Sequence, residues 1–331
     1  MEIRWISRDV VEMPTAAELP ACLARTDGVT WVHLEYDDEQ GMAALIDLVK
    51  PKKGDLADVA SRSPVPKLHI YPDHHFSAIS GLAVGSDGLL HFQPLKTFLT
   101  PHALWTVFGP ATAALSTAAI NGDLDIVRRE IDNQEVCPTT GFELIAAIRG
   151  VMMRGQEDLI VAGARRIGAL EGRVMDSDPV TAEAVLQDLF ELRHDLQTIR
   201  INAAQAHELY DNLLETLAID HSVMQIDTGR LALLRRQYGH LKNSADLERE
   251  YLQEVLDLFQ TKVSNELNRF VRKITAFGTI AISWTVVAGV YGMNFSNMPE
   301  LSWTYGYPAA LGVMVVVSLI LWYLFHRQHW L

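Results

Sequence analysis

The chain has 331 residues, a formal net charge of −13 and only two cysteines, Cys22 and Cys137. This length accommodates two domains with separate cores, and the excess of acidic residues argues against a nucleic-acid partner. Two cysteines exclude a disulfide framework and a Cys-rich metal knuckle.

The first part of the chain mixes short strand-like segments with Gly and Pro residues. The candidate strands are rich in β-branched and aromatic residues and cover residues 28–36, 67–84, 89–100 and 103–109. Helical patterns cover residues 38–49 and 111–131. Residues 1–138 are therefore predicted to form an α/β domain, which we expect to be cytoplasmic because "MEIRWISRDVVEMP" is not a signal peptide.

After Pro138 the pattern becomes helical. Residues 139–175 and 180–217 have apolar residues at helical spacing and almost no strand formers. A last helical segment begins near Asp227, where "DT" can cap it, and continues to about residue 291 without a proline. Such a long helix is not stable alone, so residues 139–273 are predicted to form a helical stalk bundle that includes the start of this helix.

Two C-terminal segments, 274–291 and 306–325, contain no charged residue. Each is long enough to cross about 30 Å of hydrocarbon as a helix, although buried core helices are the alternative. Arg269, Arg272 and Lys273 precede the first segment and Arg327 follows the second, whereas the link 292–305 contains no Lys or Arg. The positive-inside rule therefore predicts a multi-pass protein of the plasma (bacterial inner) membrane, with an extracytoplasmic loop at 292–305, a tail at 326–331 and both termini cytoplasmic.

The short link has the chemistry of a pore mouth. Gly292 lets the backbone leave the helix, Asn294 offers a neutral carbonyl oxygen, and Pro299 prevents the loop from continuing as helix. Glu300 is the only charge in the link and would attract cations if it were repeated around a ring. Two spans cannot enclose a water-filled path, so transport would require several copies; otherwise the segments form an anchor.

Along the first span, one stripe at helical spacing is apolar between polar ends. It consists of Asn268, Val271, Ile274, Gly278, Ile282 and Thr285. Such a stripe suits either helix packing or a constriction that closes by dewetting. The spacing alone favours packing.

Three motifs in this region carry a family resemblance. They are "YGMNF" at 291–295, "MPEL" at 298–301 and "GYP" at 306–308. Together with a gap-free similarity from "SNELNRF" at 264–270 to the end, they resemble the CorA family of magnesium and other divalent-cation channels. Weaker similarity covers residues 65–79 and 95–109.

The resemblance implies a funnel-shaped homopentamer in membrane lipid, with an α/β cytoplasmic domain, a long helical stalk and two transmembrane helices. The first span would line the pore, and the second would face lipid. Gly292, Met293 and Asn294 would form the selectivity filter, with Asn294 binding Mg²⁺ through its water shell.

The resemblance also assigns roles to the stripe. Thr285 would be a pore hydroxyl, Asn268 a polar ring at the cytoplasmic end, and Val271, Ile274 and Ile282 hydrophobic gates, which shifts our interpretation from packing to gating. The cation, Mg²⁺ or alternatively Zn²⁺, Co²⁺ or Ni²⁺, would be cargo driven by the membrane potential. No cofactor is expected, and without a Walker, Gly-rich phosphate-loop or zincin pattern no enzymatic activity is predicted.

The sequence departs from the family pattern at two places. Ser283 replaces the usual proline of the first span, so a kink is in doubt. Arg235 and Arg236 stand where a magnesium-gated member would carry acid, so closure by intracellular Mg²⁺ is absent or works elsewhere. These departures leave two alternatives: a proton-coupled Zn²⁺ transporter of the same superfamily, and a non-conducting scaffold or sensor.

Histidines suggest two further sites. "YPDHHF" contains Asp73, His74 and His75, with His69 nearby. Adjacent histidines on a strand point to opposite faces and cannot easily share a metal, so we expect a surface strand. At the C-terminus, His326 and His329 are expected to be polar residues at the membrane interface.

Overall fold

The computed structural model describes residues 1–110, 112, 114–176, 182–219, 226–293, 298, 303–328 and 330. The chain divides into two compact units, Met1–Val255 and Leu256–Leu331. The first unit contains a β-sheet and its covering helices. The second contains the end of one long helix and the whole of the last.

One sheet of seven strands organises the described part of the first unit. Its strands are β1 Glu2–Ile6, β2 Val11–Glu12, β3 Val29–Leu34, β4 Lys67–Ile70, β5 His75–Val84, β6 Leu90–Leu99 and β7 Ala103–Phe108. Their order is β2-β1-β3-β7-β6-β5-β4, with β3 and β7 parallel and the other neighbours antiparallel.

Eight α-helices accompany the sheet in the described residues. They are α1 Leu19–Leu23, α2 Glu39–Val49, α3 Lys53–Ala60, α4 Thr117–Asp132, α5 Gly141–Asp176, α6 Ala182–Ile219, α7 Thr228–Tyr291 and α8 Gly306–Arg327. The predicted cap of α7 is confirmed, because Asp227 Oδ1 accepts the N–H groups of Gly229 and Arg230 at 2.9 and 3.1 Å. These two backbone N–H groups of the first helical turn would otherwise lack a hydrogen-bond acceptor.

The central strands are buried on both faces, as expected for a parallel pair covered by helices. Trp31 of β3 packs in the cluster that α4 and α5 share with the sheet. Trp105 of β7 belongs to the cluster on the other side, with Leu45 of α2 and Val59 of α3. A third cluster joins β5 to α5, α6 and the start of α7. The N-terminal turns of α7 are thereby fixed to the first unit by apolar burial.

The predicted strand 67–84 is two strands with a turn between them. The Tyr71 N–H donates to the His74 carbonyl oxygen at 3.0 Å, which closes a turn around Pro72 and Asp73. After this turn β5 pairs back onto β4 in antiparallel register. The turn brings His69 and His74 to the same side of the sheet, next to α3.

Candidate functional site

In the part of the chain that the structure describes, two helices have a stretch long and apolar enough to cross a membrane: the second part of α7, and α8. Only 6% of that stretch in α7 and none in α8 is buried within the chain. A core helix of a soluble protein would be mostly buried. The low burial therefore argues against the core-helix alternative.

Within the second unit, α7 and α8 pack through one face each. On α7 the least exposed side chains recur every three or four residues at Ala276, Thr279, Ile280, Ser283 and Val287. On α8 the corresponding positions are Ala310, Met314, Val317, Ser318, Leu321 and Phe325. At the border of this contact the Trp284 Nε1–H donates to Ser318 Oγ at 2.6 Å. Hydroxyl-bearing residues at such a contact can form hydrogen bonds between helices in lipid.

This interhelical hydrogen bond was not predicted from the sequence. The signal was Ser318, a lone serine in the middle of the apolar α8. Its hydroxyl also donates to the Met314 carbonyl oxygen at 2.7 Å. A polar side chain in a span usually finds a partner there, since lipid offers none.

All residues of the predicted stripe lie on α7, and all except the half-buried Gly278 are exposed. Ile274 is 55% exposed and Ile282 65%. At 3.6 residues per turn, the stripe is centred roughly 140° around the helix from the face that packs on α8. Within the described residues, the stripe therefore has no apolar partner in its own chain.

The hydroxyl groups inside the α7 span are satisfied by their own helix. Thr275 and Thr279 each donate to the carbonyl oxygen four residues earlier, both at 2.8 Å, and Thr285 donates to Ala281 O at 3.2 Å. Ser283 Oγ donates to Ile280 O at 2.7 Å, and α7 continues without a break through this position. Since the Thr285 proton is engaged, the oxygen lone pairs of that hydroxyl stay available to a hydrated cation.

The predicted filter begins where α7 ends. The Gly292 N–H still bonds Ala288 O at 2.9 Å, and the Met293 N–H bonds Val290 O at 3.3 Å. A Cβ at position 292 would lie 3.1 Å from Ala288 O, closer than side chains usually approach. Gly292 and Met293 thus terminate the helix, whereas Asn294 and Glu300 lie outside the described residues.

Aromatic rings mark both ends of the helix pair. Trp303 and Tyr305 lie edge to face at 6.2 Å just before α8, and Trp322 stacks on His326 at 5.3 Å near its end. Such rings are typical of the two membrane–water interfaces. The interfacial position of His326 stays a prediction, with which this stack agrees, and His329 is outside the described residues.

The prediction of a surface strand at "YPDHHF" is wrong. His74 and His75 are 2% and 4% exposed. His75 begins β5, an interior strand between β4 and β6 whose residues pack in clusters with helices, and His74 lies beside the buried Asp55 of α3. Burial lowers the pKa of His75. Within the described ranges, no group of three His, Cys, Asp or Glu side chains is arranged to hold a metal.

His74 instead belongs to a polar cluster centred on Asp55 of α3. The Asp55 carboxylate is fully buried; its Oδ1 lies 2.6 Å from His69 Nδ1 and accepts the Tyr71 hydroxyl at 3.0 Å. His74 Nε2 lies 3.8 Å from the other carboxylate oxygen. This cluster ties α3 to β4 and the following turn, as a hydrogen-bonded buried acid does.

Comparison with known proteins identifies relatives of the chain. The family model described as "CorA-like Mg2+ transporter protein" matches residues 26–327. The cobalt/magnesium transport protein CorA of Thermotoga maritima is 37% identical over 109 residues, 32% of this chain and 31% of that protein. The magnesium transport protein CorA of Wolinella succinogenes is 24% identical over 191 residues, 58% of each chain. The alignments thus span less than two thirds of either relative.

The fold also matches solved structures. The complete structure of the CorA magnesium transporter from Methanocaldococcus jannaschii superimposes with a TM-score of 0.80 at 16% identity, over 100% of this chain and 99% of that one. At this identity the match establishes the fold alone. The matched region includes the sheet, the long helix α7 and the last helix α8.

Proposed function

Because the chain belongs to the family of CorA-like Mg2+ transporter proteins, we propose that it conducts divalent cations, Mg²⁺ first, across the plasma membrane as a homopentamer. The observation that carries this proposal is the uncovered stripe on α7. Its side chains lie on the side of the helix away from α8. Five copies with α8 outward would turn this face toward a common axis.

The stripe supplies a gate in such a ring. Val271, Ile274 and Ile282 would surround a dry constriction, since apolar rings expel water when they approach one another. Above them the Thr285 hydroxyls, and below them the Asn268 amides, would offer polar contacts to a cation with its water shell. Ions would pass when this apolar constriction widens enough for water to fill it.

The filter would act on the hydrated ion. Mg²⁺ gives up its waters reluctantly, so a ring of Asn294 carbonyl oxygens, continuing from Gly292 and Met293, would hold those waters rather than the metal. Glu300 would raise the local cation concentration at the mouth. With both termini cytoplasmic, the membrane potential drives entry with about 4.6 kcal/mol per 100 mV for two charges.

Internal Mg²⁺ is not expected to close this channel through Arg235 and Arg236. Arginine has no acceptor and cannot ligate a cation. Arg235 Nη1 donates to Asp211 Oδ1 at 2.7 Å, which engages that carboxylate as well. If such closure is absent, flux continues at millimolar internal Mg²⁺; if closure works through other residues, flux stops there.

The test is uptake into proteoliposomes that contain a Mg²⁺- or Zn²⁺-sensitive dye, with an imposed potential and separately with a pH gradient. Asn294→Ala is compared with Asn297→Ala, which removes the same side chain three residues further along the loop. Potential-driven Mg²⁺ entry that Asn294→Ala alters and Asn297→Ala leaves intact supports the proposal.

Two other outcomes would replace the proposal of a Mg²⁺ channel by one of the alternatives. Zn²⁺ entry that requires the pH gradient would establish the proton-coupled zinc transporter. If neither ion moves through correctly assembled protein, the chain is a non-conducting scaffold or sensor.

A further inference from the structure

The first unit contains an open groove beside α6 and the first turns of α7. Its volume is about 910 Å³, and its lining includes His207 of α6 and, on α7, Gly229, Arg235, Arg236, His240 and Asn243. Residues 229, 236, 240 and 243 recur at helical spacing and so follow one face of α7. A volume of this size suits a small organic ligand rather than a single ion.

The groove is basic although the chain is acidic overall. From Thr228 to Ala245 the sequence contains Arg230, Arg235, Arg236 and Lys242 and no Asp or Glu. The net charge of the whole chain is −13. Such a local excess of cations creates a positive potential that attracts anions.

Among the described residues the ion pairs leave two of these cations unmatched, Arg236 and Lys242, and of the two only Arg236 lines the groove. Arg230 is paired with Asp227 and Glu143, and Arg235 with Asp211. Arg236 is exposed and forms no ion pair with any residue that the structure describes. Arg236 lines the groove, and no described residue is recorded as a partner of its donors.

The neighbouring residues keep the groove open and hold its wall. Gly239 lacks a side chain where a Cβ would lie 3.1 Å from the His207 ring, so the imidazole can lie against α7. His207 Nδ1 lies 2.8 Å from the Arg235 carbonyl oxygen. Since a carbonyl only accepts, Nδ1 carries the proton and the ring orientation is fixed.

The helix N-terminus is not the attractive element. Asp227 already accepts the N–H groups of Gly229 and Arg230, so the first turn of α7 offers few free donors there. Any anion in the groove would be held by side chains. Arg236 is the one whose planar fork of donors can bind two oxygens of a tetrahedral anion at once.

We propose that this groove binds phosphate groups, with Arg236 as the principal ligand and Arg235, His240 and Asn243 as further donors. The bound phosphate groups belong either to inorganic phosphate or to the phosphate chain of a nucleotide. The groove volume favours the nucleotide. The proposal does not depend on the transport function. It concerns the first unit alone.

The test is isothermal titration of the full chain in detergent, in metal-free buffer of low ionic strength, with inorganic phosphate and with ATP. Arg236→Gln is compared with Lys242→Gln, which removes the same charge from the same helix outside the groove lining. We expect Arg236→Gln to weaken binding at least tenfold, as the loss of a charge-assisted pair does, and Lys242→Gln to change it less than about twofold. Matched melting curves of both variants and wild type check that the fold is intact.

Each outcome decides the matter. Tighter binding of ATP than of phosphate assigns the groove to nucleotides, and equal affinities assign it to free phosphate. If both substitutions weaken binding equally, the anion is attracted by the overall positive charge of the helix and not by a specific site, and the proposal is wrong. The absence of saturable binding would overturn the proposal as well. If Arg236→Gln changes the oligomeric state and phosphate does not bind, the face is an interface between copies.

Discussion

Acidification from pH 7 to pH 5 should destabilise the first unit through His33 of β3. This imidazole is 6% exposed and bonds Thr106 Oγ1 at 3.0 Å, with the ring of Phe108 against it edge to face. Burial, with the Arg128 charge as a smaller cause, lowers the pKa of His33 to about 4. The folded chain therefore keeps this ring neutral over a pH range in which the unfolded chain protonates it.

The sign and size of this pH-dependent change in stability follow from the linkage between proton binding and folding. Because the folded pKa is depressed, the stabilisation is present above the unfolded pKa, near 6.5, and is lost as the pH falls toward 4. Between pH 7 and pH 5 the unfolded state takes up about two thirds of a proton more than the folded state does. The expected loss is about 2 kcal/mol.

The thiol of Cys22 provides the assay. Cys22 is 5% exposed, and its carbonyl accepts the hydroxyl of Thr30 in β3, so its reaction with a thiol reagent reports opening around that strand. In a Cys137→Ser background, which removes the exposed thiol, labelling rates are normalised to those of the unfolded chain at each pH. Native-state labelling of this kind measures the free energy of opening.

The decisive comparison is His33→Gln with His102→Gln, the latter at an exposed histidine. His33→Gln should reduce the pH dependence by about 2 kcal/mol, and His102→Gln should retain the wild-type dependence. His75, whose pKa burial also lowers, is common to all variants and cancels. An unchanged slope in His33→Gln would refute the reasoning.

Two further predictions test the Asp55 cluster and the helix pair. Asp55→Asn should cost roughly 1–3 kcal/mol in the Cys22 assay, because it changes a fully buried side chain whose Oδ1 lies 2.6 Å from His69 Nδ1 and accepts the Tyr71 hydroxyl; a cost below about 0.5 kcal/mol would contradict a structural role. Ser318→Ala should weaken the α7–α8 contact by about 0.6–2 kcal/mol, measured by thermal unfolding in detergent. Combined with Trp284→Phe it should add little further loss, since both changes remove the same hydrogen bond; full additivity would show that the bond contributes nothing.

The sequence predicted most elements because their signals are local. Strands β6 and β7 begin and end within one residue of the predicted segments, and α7 begins at the predicted cap. Hydrophobic period and turn residues are sufficient for such boundaries. The prediction omitted β1, whose pairing with β3 is a contact between distant parts of the chain.

Burial of polar residues was the hardest feature to predict. "YPDHHF" contains five polar or aromatic residues and a proline, so a surface position was the reasonable expectation. Asp55, which accompanies His74 in the core, is nineteen residues away in the sequence. No local pattern encodes a partner at that distance, and a buried acid is tolerated only when such partners exist.

The α7 stripe shows how a structure bears on two interpretations, packing, which the helical spacing alone favoured, and gating, which the family resemblance favoured. An apolar face at helical spacing can either pack on a neighbour or line a constriction, and both need Val271, Ile274 and Ile282 to be apolar. The two interpretations differ in which face of α7 the second span covers. Since α8 packs on the face that contains Ala276 and Ser283, the stripe is left for lipid or for further copies of α7. Further copies of α7 around an axis would bury it without any other protein, and this favours gating over packing within one chain.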